Sequence, residues 1–107
     1  MTVEYTSAPE GGRILLCGEL DHHAAMPALH RAVELLDEHQ PGVAVLDLER
    51  LTFMDSSGIA LLMGLERRMR LAGGRLTVQR VPAQAWKVLH SAGMDRRIHM
   101  TKKEEQP

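Results

Sequence analysis

The stretch that most restricts the fold is Val43-Ala44-Val45-Leu46-Asp47-Leu48, together with the segment directly after it. It is short, β-branched and apolar, which describes a strand with little access to water. From Ile59 to Ala72 there is no proline, and Leu, Met, Ala and Arg dominate, which describes a helix. Between the two lies Phe53-Met54-Asp55-Ser56-Ser57-Gly58, a loop that enters the helix. A buried strand feeding a long helix is the unit of a parallel α/β sheet. Asp55, Ser56 and Ser57 fall where a helix begins and can satisfy its first free N–H groups. One cap accounts for one of the three. The other two, at the carboxyl end of a strand, stand where functional sites of open α/β sheets collect.

The rest of the chain fits the same plan. Val3–Ser7 and Arg13–Leu20 are strands separated by the turn Ala8-Pro9-Glu10-Gly11-Gly12, and they form a hairpin. A first helix carries Ala25, Leu29, Ala32, Val33 and Leu36 as its buried stripe. Pro27 is tolerated only in its first turn, and Gln40-Pro41-Gly42 ends it. Gly73-Gly74 stops the second helix. Arg75–Arg80 is a strand with Leu76, Val78 and Arg80 on one side and Arg75, Thr77 and Gln79 on the other. Pro82 opens a third helix with Ala85, Val88, Leu89 and Ala92 inward, and Gly93 closes it. Trp86 lies off that stripe as a half-buried surface ring. Arg97–Met100 is a short edge strand. The predicted fold is one α/β domain over residues 1–100, ordered ββαβαβα(β), with a mixed sheet parallel apart from the first hairpin. Residues 101–107 form a polar tail.

Composition narrows the function. A chain of 107 residues with 44% apolar residues supports one core, and with 3% aromatics that core is aliphatic. A formal charge of −1 gives no electrostatic ground for nucleic acid or an anionic membrane as partner. The one cysteine, Cys17, sits in an apolar run and reads as buried and inert. No signal sequence opens the chain and no apolar run is long enough to span a membrane, so a cytoplasmic protein is expected.

If the second and third strands are parallel, the turn bearing Asp21, His22 and His23 opens beside Asp55, Ser56 and Ser57. A Ser–His–Asp hydrolase is one reading, but no G-x-S-x-G elbow is present and no Gly-rich loop offers an oxyanion hole. A metal site at His22 and His23 is no better supported, because neighbours on an extended chain point to opposite sides. The second helix adds a different clue. Leu61, Leu62, Leu65, Met69 and Ala72 gather with Gly58 on its core face. Ser56, Ile59, Met63 and Arg67, at spacings of three and four, form a line on a flank the sheet does not use. A polar-rimmed apolar strip of this kind is a protein-docking surface.

Gly18-Glu19-Leu20-Asp21-His22-His23, Leu46-Asp47-Leu48, Phe53-Met54-Asp55-Ser56-Ser57-Gly58 and Gly73-Gly74 together resemble the anti-sigma factor antagonists of the STAS domain family. The similarity runs from Val3 to Met100 and is greatest with the sporulation branch. The resemblance implies a small binding protein, not an enzyme, with no cofactor or metal. Its unphosphorylated form would bind an anti-sigma factor that is also a serine kinase, freeing the sigma factor. The kinase would phosphorylate Ser56, and a metal-dependent serine phosphatase would reverse this. Contacts to the kinase would map onto Asp55, Ser56, Ser57, Ile59 and Met63, and onto Asp21 and His22. The rival within the fold is a STAS subunit of a membrane transporter or stress-signalling complex.

Overall fold

The structure, a computed structural model, describes residues 1–103. Its elements are β1 (Thr2–Ala8), β2 (Gly11–Leu20), α1 (Ala25–His39), β3 (Val43–Asp47), β4 (Leu51–Met54), α2 (Ser57–Leu71), β5 (Arg75–Val81), α3 (Ala83–Ser91), a 3-10 turn (Met94–Arg96) and β6 (His99–Lys102). The main sheet runs β1-β2-β3-β5-β6, and β4 pairs with β2. β1 and β2 are antiparallel and the remaining pairs are parallel. The α/β architecture expected from the sequence is therefore present, with one strand more.

That strand is β4. It comes after β3 and a short break at Leu48-Glu49-Arg50, and the sequence pattern alone merges it with the loop. Its burial does not alternate, since Leu51 and Met54 are buried while Thr52 and Phe53 are exposed. Four residues with that pattern carry no period-two signal. The partner decides it instead. β2 pairs with β3 through Leu15 and with β4 from Gly18 to Leu20, the ladder slipping by one residue at Thr52 between the Gly18–Leu51 and Glu19–Phe53 pairs. Gly18 has φ +110° and donates to the Arg50 carbonyl at 3.2 Å. A glycine tolerates that dihedral where other residues would be strained.

The parallel strands follow one another in a single direction across the sheet. Right-handed crossovers then place all three helices on the same face. There Ile14, Leu16, Leu46 and Val78 from the sheet meet Ala28, Ala32, Leu61, Leu62, Leu65 and Leu89 from the helices in one core. A fully buried leucine contributes about 1.5–3 kcal/mol, so the aliphatic core is sufficient without aromatics. Alternation puts Arg13, Leu15, Cys17, Val45, Asp47, Thr77 and Gln79 on the opposite face. This face explains a first correction: Cys17 is only half-buried.

Three helix details also differ from expectation. In α1 the deepest residues are Ala25, Ala28, Ala32, Leu35 and Leu36, while Leu29 and Val33 are half-buried beside α2. In α2, Gly58, Leu61, Leu62, Leu65 and Met69 are buried as predicted, but Ala72 lies past the helix end and is exposed. In α3 only Ala85 and Leu89 are buried; Val88 is half-buried and Ala92 exposed.

β5 departs from its predicted alternation at the end. Arg80 takes φ +56° and the pairing with β6 slips between Val78 and Val81. Val81 enters the core and Arg80 swings out to Asp47 and Glu49. β6 reaches Lys102, beyond the expected strand and domain edge at residue 100; residues 104–107 of the predicted tail lie outside the described residues.

Candidate functional site

The two turns expected to meet do meet. Asp55 donates its backbone N–H to the Leu20 carbonyl at 3.1 Å. Its side chain Oδ2 accepts the His22 N–H at 3.2 Å, and Oδ1 accepts the Ser57 N–H at 2.8 Å. Asp55 is thus both the cap of α2 and the tie to the neighbouring turn. Asp21 repeats the arrangement at α1, its Oδ1 accepting from His23 and Ala24 at 3.0 Å each. The Ser57 N–H, helped by that of His22 and opposed by some loss of water, holds the Asp55 carboxyl below its ordinary pKa.

Because Asp55 caps the helix, Ser56 does not. Ser56 already has helical dihedrals, φ −63° and ψ −16°, and its side chain makes no cap bond. It is exposed at the start of α2. Gly58, the second residue of α2, has no room for a side chain. A Cβ there would lie 2.6 Å from Met54 Cγ, and Met54 is fully buried. This close approach sets how α2 leaves β4.

The line expected along α2 is exposed to differing degrees. Ile59 is half-buried against the core, Met63 is 43% exposed, and Arg67 is exposed. Phe53, 41% exposed on β4, adds an apolar group near the same corner that the helix periodicity did not include. Met63 and Arg67 also line a groove of about 370 Å³ with Met94, Arg97 and Ile98.

His22 and His23 do not diverge as predicted. They lie in a turn, not an extended strand, and their ring centroids are 3.9 Å apart. Among the described residues the histidine ring that hydrogen-bonds is that of His90, to Asp95 Oδ2 at 2.8 Å, so no histidine engages the Ser56 hydroxyl.

Two polar contacts, one at the site and one away from it, were not expected from the sequence. Gln84 of α3 bonds the Met54 backbone twice, accepting its N–H and donating to its carbonyl, each at 2.8 Å. On the face opposite the helices, Asp47 is 2% exposed and bonds Arg13 at 2.9 Å, Arg80, and the Glu49 N–H at 3.0 Å. Burial pushes the Asp47 carboxyl up, but the bonds from Arg80, the Glu49 N–H and Arg13 outweigh it and leave its pKa lowered. No local pattern marks the Gln84–Met54 contact or the two arginines on Asp47, since those partners are thirty or more residues apart in sequence.

Residues 3–102 match the family model described as Mlab, STAS domain. The chain belongs to the STAS domain family. It is 32% identical over 81 residues to an anti-sigma F factor antagonist of Paenibacillus polymyxa, covering 76% of this chain and 69% of the relative. It is also 32% identical over 71 residues to the intermembrane phospholipid transport system binding protein MlaB of Escherichia coli, covering 66% of this chain and 69% of MlaB. Among solved structures, this STAS domain is similar to the anti-sigma factor antagonist SpoIIAA in its unphosphorylated form, with a TM-score of 0.76 and 25% identity over 95% of this chain and 90% of that one. It is similar to the phosphorylated SpoIIAA of Bacillus with a TM-score of 0.68 and 26% identity, over 95% of this chain and 93% of that one. No helix among the described residues is long and apolar enough to cross a membrane.

Proposed function

We propose that this STAS domain is an anti-sigma factor antagonist whose binding is switched at Ser56. The observation that carries the reading is the Ser56 hydroxyl itself: exposed, at the start of α2, and relieved of capping by Asp55. The unphosphorylated chain binds an anti-sigma factor with serine kinase activity and so frees the sigma factor. Asp21, His22, Asp55, Ser57, Ile59, Met63 and Arg67 form the docking surface around that hydroxyl. In the switching step the Ser56 oxygen bonds the γ-phosphorus of ATP, the bond to ADP breaks, and the hydroxyl proton passes to a base on the kinase. A metal-dependent serine phosphatase removes the phosphate.

The energetics fit a switch without refolding. A phosphate at the N-terminus of α2 gains about 0.3–1 kcal/mol from the helix dipole, up to ~2 if partly buried. Like charges brought together across an interface cost several kcal/mol. A hundredfold loss of affinity needs only about 2.8 kcal/mol. With Asp21 and Asp55 already at this corner, a partner that fits it loses affinity when a dianion is added.

The test is intact-mass measurement of the chain incubated with its anti-sigma kinase and ATP, beside Ser56→Ala. One phosphate on wild type and none on the variant is the expected result. No transfer to wild type by an active kinase overturns the reading. The similarity to MlaB favours a second reading, in which the chain is a subunit of a membrane transporter and the same corner docks an ATPase. Copurification of a transporter ATPase in place of a kinase selects it.

A further inference from the structure

β4 hydrogen-bonds to β2 along one edge only. In a parallel strand, alternate residues direct their N–H and C=O to opposite edges. Asp55 N–H points to β2, where it meets the Leu20 carbonyl. Met54, one residue earlier, points both backbone groups the other way, where no strand lies among the described residues. The Gln84 side-chain amide occupies that position and bonds both groups at 2.8 Å. It acts as a one-residue substitute for the missing strand. Met54 is also pinned by its side chain, which is 1% exposed and packed under Gly58. Ser56 lies two residues beyond.

We infer that Gln84 is a positioning residue for Ser56: its amide clamp on the Met54 backbone fixes the Asp55-Ser56 loop in the geometry that accepts a phosphate. The inference rests on the reading of Ser56 as the switch. It makes α3, which bears none of the residues assigned to docking, part of the phosphorylation machinery. A displacement of about 1 Å at a reacting group can cost up to 10²-fold in rate, so a loosened loop is measurable. Of the docking residues only Asp55 and Ser57 adjoin the clamp, and Ile59, Met63 and Arg67 along α2 do not depend on it, so the effect falls on kcat more than on KM.

The experiment compares wild type, Gln84→Ala, Gln84→Glu and the control Lys87→Ala, which alters an exposed residue of the same helix. Ionised glutamate keeps the acceptor for the Met54 N–H but has no donor for the carbonyl; protonated, it has both and replaces the amide. Hydrogen exchange at Met54 should quicken about tenfold or more in Gln84→Ala, with the Leu62 amide unchanged. Gln84→Glu should fall between Gln84→Ala and wild type near neutral pH, since it keeps the acceptor for the Met54 N–H, and should approach wild type as the introduced carboxyl protonates. Phosphorylation of Ser56 by the anti-sigma kinase should lose about tenfold in kcat in Gln84→Ala, with KM within about twofold, and nothing in Lys87→Ala. Unchanged exchange at Met54 refutes the clamp. Quickened exchange with unchanged kcat refutes the positioning role. A wild-type chain that takes no phosphate refutes the switch reading, and the positioning role with it, whatever exchange shows of the clamp.

Discussion

Removing the carboxylate of Asp47 is expected to destabilise the domain while leaving the Ser56 corner untouched. Asp47 is buried on the face of the sheet opposite the helices, where Arg13 and Arg80 converge on its Oδ2 and the Glu49 N–H on its Oδ1. Deleting one partner of a buried ion pair costs about 3–5 kcal/mol when the other is left buried. Here the two guanidinium groups retain water contact, at 19% and 45% side-chain exposure, and can rehydrate. The expected cost of Asp47→Ala is therefore lower, about 2–3 kcal/mol. For a domain of this size that lowers the melting temperature by roughly 8–20 °C. Asp47→Asn keeps an acceptor for the Glu49 N–H and should cost less. The pH dependence is a second handle. The folded carboxyl titrates below its unfolded value of about 3.9. Its contribution is therefore complete above that value and is lost as pH falls through the lower folded pKa. Urea unfolding followed by circular dichroism from pH 7 to about 2.5 reads both effects. Asp47→Ala should be less stable at pH 7 and should converge on wild type in acid. A variant within about 0.5 kcal/mol of wild type at neutral pH, or one whose acid slope parallels wild type, would refute the reasoning.

Other substitutions probe the site. Gly58→Ala places a methyl 2.6 Å from Met54 Cγ; the overpacking cost of about 1–3 kcal/mol should exceed the ~1 kcal/mol gain in helix propensity, and a variant that melts higher than wild type would contradict this. Met63→Glu changes an exposed side chain, so its melting temperature should hold while affinity for the anti-sigma kinase falls about tenfold or more, measured by titration calorimetry. Asp55→Ala should quicken exchange at the Ser57 and His22 amides together, because one carboxylate accepts from both. Since the Asp55 pKa is lowered, the wild-type Ser57 amide shift should show the Asp55 titration only below the ordinary carboxylate range, followed by nuclear magnetic resonance.

Much of this molecule is legible from local pattern. The apolar run at Val43–Leu48, the stripe Leu61-Leu62-Leu65-Met69, Pro82 before α3 and the glycines after the helices each state an element and its limits, because helix and strand periodicity and end chemistry act over a few residues. A cap among Asp55, Ser56 and Ser57 and the exposure of Met63 and Arg67 come from the same short-range rules, while the assignment of the cap to Asp55 comes from the structure. What required tertiary structure is what depends on register between distant segments. β4 is a strand only because the end of β2, from Gly18 to Leu20, leaves β3 and pairs with it. Arg80 leaves the core side only because β5 slips against β6 and Asp47, 33 residues away, receives it. Gln84 meets Met54 across 30 residues, and nothing around either one in sequence indicates the other. A hydrogen bond needs its partners within about 3 Å, and across such separations only the packed fold decides which groups come that close.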